Sequence, residues 1–252
     1  MNMRDDRLAI RESSPAMSVR PKMAVHDLEM VSALRGVPAL QALPQAVMTR
    51  LATGAIRLDL IRGESLFGAE AHCAGLYVVA SGRIMLSVGS AEAGHKVIRL
   101  AEAGDIIGLS ATLLGLDTFA SAEALVDSTV VLLTRETLLD RAARDVSLAL
   151  ALANIGARQS RNLAIDLESV SLQSGRERIV NYLLANAATG PAGPLTVLLS
   201  AKKSIIASRL SVTPEYFSRT LHELISAGAI AVNGRQIVIL DAVRLRNSDH
   251  AA

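Results

Sequence analysis

Two helical segments separated by only Ser211-Val212 constrain this chain more than any other feature. The second opens on Thr213, a helix-capping side chain, with Pro214 at the first helical position and Glu215 in the first turn. At three- and four-residue steps Glu215, Ser218, Arg219 and His222 fall on one polar face, and Phe217, Leu221, Leu224 and Ile225 on the opposite, apolar one. The first segment, Lys202 to Leu210, turns Ile205, Ile206, Ala207 and Leu210 inward, and Ala207 supplies the small side chain that closely crossing helices need. So short a connection forces a sharp helix–turn–helix. The polar face offers an acceptor-only carboxylate, a hydroxyl and a guanidinium, groups that read cytosine, thymine and guanine edges in a DNA major groove.

An ordinary amphipathic helix with a solvated face has the same pattern, and the next segment separates the two readings. From Gly228 to Leu240, β-branched runs flank Asn233-Gly234, the strongest short-range hairpin signal. Helix, turn, helix and hairpin together describe a winged helix. The expected DNA contacts are Glu215, Ser218, Arg219, Thr213 and His222, with Lys202 and Lys203 on phosphates.

Charge supports this placement modestly. From Gln173 onward there are nine Lys and Arg against five Asp and Glu, whereas residues 1–172 hold 17 against 19. The positive excess therefore sits with the helix–turn–helix, where phosphates would be. At 252 residues the chain suits one or two domains, and with no Trp its core must be mainly Leu, Ala, Val and Ile. One cysteine, Cys73, excludes an internal disulfide and a multi-cysteine zinc or iron–sulfur site within one chain. The apolar stretch Val146 to Ala157 is too short to span a bilayer, and no basic start precedes a long apolar run. A soluble, cytoplasmic protein without a membrane partner is expected.

Residues 1–25, rich in Ser, Pro and Met, read as a flexible N-terminal arm. From His26 to about Leu51 the pattern is of short helices broken at Pro38 and Pro44. From Ala55 to about Leu133, β-rich runs at Leu76–Val79, Ile84–Val88 and Val97–Leu100 alternate with Ser81-Gly82, Gly94-His95 and Gly104-Asp105, predicting a small β sandwich or barrel. Glu136 to Ser171 then reads as one long helix, with Leu148, Leu152 and Ile155, then Leu163, Leu167 and Val170, as a dimer seam or as packing against the β domain. Ser174-Gly175 marks the hinge that follows. The division is 1–25 arm, 26–135 effector domain, 136–172 dimerisation helix and 173–252 winged helix, in an α+β chain.

This order of parts resembles the CRP/FNR superfamily of transcription regulators over roughly residues 28–245. Glu215-Tyr-Phe-Ser218-Arg219 is similar to that family's E-x-x-S-R recognition helix, and Gly75 to Ile84 with Gly104-Asp-Ile-Ile-Gly108 resembles the glycine turns of its cyclic-nucleotide-binding-like β-roll. Ser211 departs from the pattern, since many members have Gly there; Ser can adopt the same turn with some strain. The resemblance implies a homodimer on double-stranded DNA with TTGA-type palindromic half-sites, RNA polymerase as partner if the protein activates, and an unknown small-molecule or gas effector.

Members that bind cyclic AMP carry a Glu just after the equivalent of Gly108 and an Arg further on. Here Leu109 takes that place, and no Lys or Arg occurs between Arg99 and Arg135, which argues against cyclic AMP. Residues 1–30 lack the cysteines of the oxygen-sensing members. The stretch from Leu210 to Asp241 most resembles the haem-dependent, nitric-oxide-responsive branch. That implies haem as cofactor, with His26, His72, Cys73 and His95 as candidate axial ligands, although His72-Cys73 and His95 read equally as solvent-exposed loop residues. The run Ile106 to Leu116 could line a haem pocket or be core. A ligand-sensing module that gates a partner protein is the alternative function, and it leaves the Glu215/Ser218/Arg219 face unused. No phosphate loop, nucleophile elbow or metal-binding helix motif supports an enzyme.

Overall fold

The computed structural model describes residues 27–90, 94–189 and 194–247. The arm expected at 1–25 and the candidate ligand His26 lie outside the described residues. The chain enters through α1 (Asp27–Arg35), a 3-10 turn at Pro38–Leu40 and α2 (Gln45–Ala52). The prolines set the breaks: Pro38 opens the 3-10 turn, and Pro44, extended at ψ 146°, stands at the N-cap of α2.

Eight strands follow among the described residues: β1 (Ala55–Leu60), β2 (Ser65–Phe67), β3 (Gly75–Ser81), β4 (Arg83–Ser90), β5 (Gly94–Glu102), β6 (Ile106–Ile107), β7 (Ser121–Ala124) and β8 (Ser128–Thr134). They form two antiparallel sheets, β1-β8-β3-β6 and β2-β7-β4-β5. Between them Leu58, Tyr77, Val79, Val130 and Leu132 of the first sheet meet Leu66, Phe67, Ile84, Ala122 and Ala124 of the second. The other face of the first sheet, through Leu76, Val78, Val131 and Leu133, packs under α1 and α2. Strands β3 and β8 are therefore buried on both sides, so they read as continuous apolar runs rather than alternating ones. Gly82, at φ 87°, makes the tight β3–β4 turn; a Cβ there would lie 2.2 Å from Ser128 Oγ.

Three expectations for this half change. The span 55–133 is not all β: Gly108, at φ 83°, turns β6 into α3 (Leu109–Leu114), which points Leu109, Ala111 and Thr112 inward. Gly94-His95 is not a turn but the start of β5, paired with Ser90 and Gly89. The long helix is two helices, α4 (Arg135–Arg144) and α5 (Val146–Leu172). Asp145 separates them at φ −137°, its carboxylate accepting from Leu148 N.

The seam splits with it. Leu148, Leu152 and Ile155 are buried in the same core cluster as residues of α1, the 3-10 turn, α2 and β3, so they are not a dimer surface. Past Gln159, whose amide donates to Ile106 O at 3.2 Å, α5 leaves the domain, and Leu163 and Leu167 are each 68% exposed. The C-terminal part contains α6 (Gly175–Ala185), β9 (Ala188–Thr189), β10 (Leu195–Leu198), α7 (Lys203–Arg209), α8 (Pro214–Ser226), β11 (Ile230–Asn233), β12 (Gln236–Ile239) and α9 (Ala242–Asn247). Its sheet runs β11-β12-β10-β9. Asn233 pairs with Gln236, so the hairpin tip is Gly234-Arg235, one residue later than the Asn233-Gly234 signal suggests. Gly234 alone of the two has a positive φ, 60°, the pattern of a type II′ turn.

Candidate nucleic-acid interface

Helices α7 and α8 form the helix–turn–helix. Thr213 Oγ1 accepts from Tyr216 N at 3.1 Å, the capping bond read from the sequence. Phe217, Leu221 and Leu224 of α8 bury against Ile206 and Ala207 of α7 in one core with α6 and the hairpin. Ile225 does not join them and is 40% exposed, because Ala229 and Ile230 close the core at that end. Thr220 is buried instead.

Opposite this core, Glu215, Ser218, Arg219 and His222 are all exposed. Seven residues of rise put them along about 10 Å of helix, or about three base steps. Lys202 is exposed at the N-cap position of α7, and Lys203 is half-buried at its first turn. The exposed face of α8 thus carries a carboxylate, a hydroxyl, a guanidinium and an imidazole, and the neighbouring helix α7 opens on two ammonium groups.

The turn is held by residues that local pattern does not reveal. Ser211 adopts φ 58°, the left-handed region expected of the Gly it replaces. Arg178 of α6 fixes it, donating from Nε to Leu210 O at 2.8 Å, from Nη2 to Ser211 O at 3.1 Å and from Nη1 to Gln173 O at 2.6 Å. Lys96 of β5 reaches across from the effector domain, donating from Nζ to Ser208 O and, at 2.8 Å, to Ser211 Oγ. Val97 N donates to Ser208 Oγ at 2.9 Å, and Arg209 pairs with Asp166 of α5 at 2.8 Å. Burial pulls the Lys96 ammonium below its ordinary pKa, and the nearby Arg209 and Arg178 charges act the same way against the opposing pull of Asp166. Leu100 and Leu125 complete the contact by packing on the C-terminal core.

In the effector domain the three described haem candidates, His72, Cys73 and His95, do not converge. Cys73 is buried, not exposed as the sequence suggested, with Sγ 3.4 Å from Gly75 O and 3.5 Å from Thr112 Oγ1. The strand that follows it packs on both faces, which draws the thiol inward. The neighbouring His72 points to solvent, with Nδ1 3.7 Å from Asp117. His95 lies on β5, exposed, where its carbonyl accepts from Ser208 Oγ at 3.4 Å. Between the sheets the Phe67 and Tyr77 rings pack 5.3 Å apart, and burial pushes the Tyr77 hydroxyl up to about 12. Among the described residues these three do not fit a haem with an axial ligand: Cys73 is core, and His72 and His95 face solvent from different elements.

The cation-free stretch between Arg99 and Arg135 is closed in space by those same two residues. Arg99 is committed to Asp105 at 2.7 Å and Ile106 O at 3.0 Å. Arg135 crosses the end of α3, donating to Thr112 O at 2.9 Å. Leu109, which follows Gly108 at the start of α3, is buried.

Comparison with known proteins agrees with both halves. The Crp-like helix-turn-helix domain matches residues 177–248, and the cyclic nucleotide-binding domain matches residues 57–145. The nitrogen fixation regulation protein FixK of Azorhizobium caulinodans is 28% identical over 221 residues, 85% of this chain and 87% of that protein. The cyclic AMP receptor protein of Thermus thermophilus is 28% identical over 170 residues, 68% of this chain and 77% of that one. Among solved structures, FixK2 from Bradyrhizobium japonicum superposes with a TM-score of 0.68 at 27% identity, covering 79% of this chain and 98% of that one.

Proposed function

This chain belongs to the CRP/FNR family of DNA-binding transcription regulators, and on that premise we propose that it works as a homodimer on a palindromic, TTGA-type operator in the cytoplasm. The observation that carries the proposal is the single exposed face of Glu215, Ser218, Arg219 and His222 on a helix whose other side is buried. Arg219 donates in a fork to guanine and Glu215 accepts from cytosine N4, while Lys202, Lys203 and Thr213 meet the backbone. Two such helices bind half-sites about one helical turn apart. The exposed Leu163 and Leu167 stripe of α5 supplies the contact between protomers. A small molecule other than cyclic AMP controls the affinity, since Leu109 is apolar and both flanking arginines are engaged.

Binding-site selection from random duplexes tests the docking. Arg219→Ala relaxes preference at one guanine by about 1–3 kcal/mol, whereas Lys202→Ala weakens every sequence alike and lowers the salt dependence. An Arg219→Ala protein that selects the wild-type motif would rule this docking out.

A further inference from the structure

Arg219 does not stand alone on the base-facing side of α8. Its Cζ lies over the ring of Tyr216, 5.2 Å from the ring centroid, one helical turn away. The Tyr216 backbone is held by the Thr213 cap, and the ring edge faces Gly175, the first residue of α6. A Cβ on Gly175 would come within 2.9 Å of Tyr216 Cε1 and 3.0 Å of Val212 Cγ1, so the seat exists only because the residue is Gly. Gly175 follows the α5–α6 junction directly, behind the Ser174–Glu177 capping box.

We propose that Tyr216 is a positioning residue for base readout: seated on Gly175, its ring holds the Arg219 guanidinium in place and so sets the discrimination at guanine. This rests on the reading that Arg219 contacts that guanine. An exposed arginine loses rotamer freedom when it engages a base, and a guanidinium already stacked has less to lose. The seat also ties specificity to the junction, because a shift of the α6 N-terminus relative to α8 moves the ring and with it Arg219.

Full-length Tyr216→Phe, Tyr216→Leu and Gly175→Ala proteins test the role. Leu keeps apolar bulk against Gly175 and Val212 but has no π face. Competition binding between the operator and a duplex changed only at the guanine gives the discrimination ratio. It falls about fivefold in Tyr216→Leu and Gly175→Ala and is retained in Tyr216→Phe, with affinity for the changed duplex unaltered. NMR of the DNA-free protein, labelled on arginine, shows the Arg219 Cδ protons shifted upfield by the ring in wild type and Tyr216→Phe, and unshifted in Tyr216→Leu. A Tyr216→Leu protein that keeps the ratio, or that loses both duplexes equally, overturns the positioning role. An unshifted Arg219 in wild type overturns the stacking and, with it, the positioning role. A shifted Arg219 whose removal leaves guanine preference unchanged overturns the docking of α8, and this role with it.

Discussion

At the scale of single residues, the capping positions follow from local chemistry and the bracing positions do not. Thr213 caps α8 through a bond to the backbone N–H three residues ahead, as its identity and spacing indicate, and the hinge residue Ser174 proves to cap α6 in the same way. Arg178 looks from its neighbours like any solvated basic residue, yet it satisfies the carbonyls of Leu210, Ser211 and Gln173. Two of those partners lie 32 and 33 residues away, beyond any local period. Arg178→Ala is therefore expected to cost about 2–3 kcal/mol, leaving part-buried carbonyls unpaired around a left-handed Ser211. Arg178→Lys recovers only part of this, since an ammonium cannot reproduce the planar fork. Urea unfolding midpoints at unchanged slope measure both. Cys73 teaches the same lesson: a residue in a loop sequence beside an exposed His72 is core, because the entry to β3 turns it into the cluster between the two sheets.

At the scale of elements, α5 shows how one apolar period can serve two surfaces. Leu148, Leu152 and Ile155 and then Leu163, Leu167 and Val170 look alike in sequence, but the first three fill the effector core and the last three face solvent. The change comes where α5 passes the edge of the β sandwich, near Gln159. The two stretches should respond differently to charge. Leu152→Asp buries an unpaired carboxylate and destabilises the effector domain by more than about 4 kcal/mol, seen as loss of its cooperative unfolding. Leu167→Asp changes protomer stability by less than about 0.5 kcal/mol, but raises the dimer dissociation constant by at least about 100-fold in sedimentation. A Leu167→Asp protein that remains dimeric at micromolar concentration would place the protomer contact elsewhere.

At the scale of the whole molecule, the effector domain and the helix–turn–helix are in direct contact through Lys96 and Val97, and α5 joins the helix–turn–helix through the Arg209–Asp166 pair. An effector that shifts β5 or α5 thus bears on the turn that aims α8, without any longer path. Titration calorimetry with cyclic AMP should show no specific micromolar binding, because Leu109 offers the ribose no acceptor and Arg99 and Arg135 already hold protein oxygens. Specific micromolar heat with cyclic AMP would overturn that reading and mean that one of these arginines releases its partner.

The amino-acid sequence by itself determined the winged helix–turn–helix, the small β domain and their order. Each rests on signals that act over a few residues: caps, turn glycines, and periods of two or of three to four. Helix boundaries at Asp145 and the hairpin tip at Gly234-Arg235 were off by a residue or split, because competing local signals of similar strength sit side by side there. Only the tertiary structure decided which apolar stripe of α5 is core, that Cys73 is buried, that Arg135 closes the cation-free stretch, and that Arg178 and Lys96 hold the turn. All of these depend on where distant segments meet. Burial and long-range hydrogen bonds are properties of that meeting, and an exposed and a buried leucine are written with the same letter.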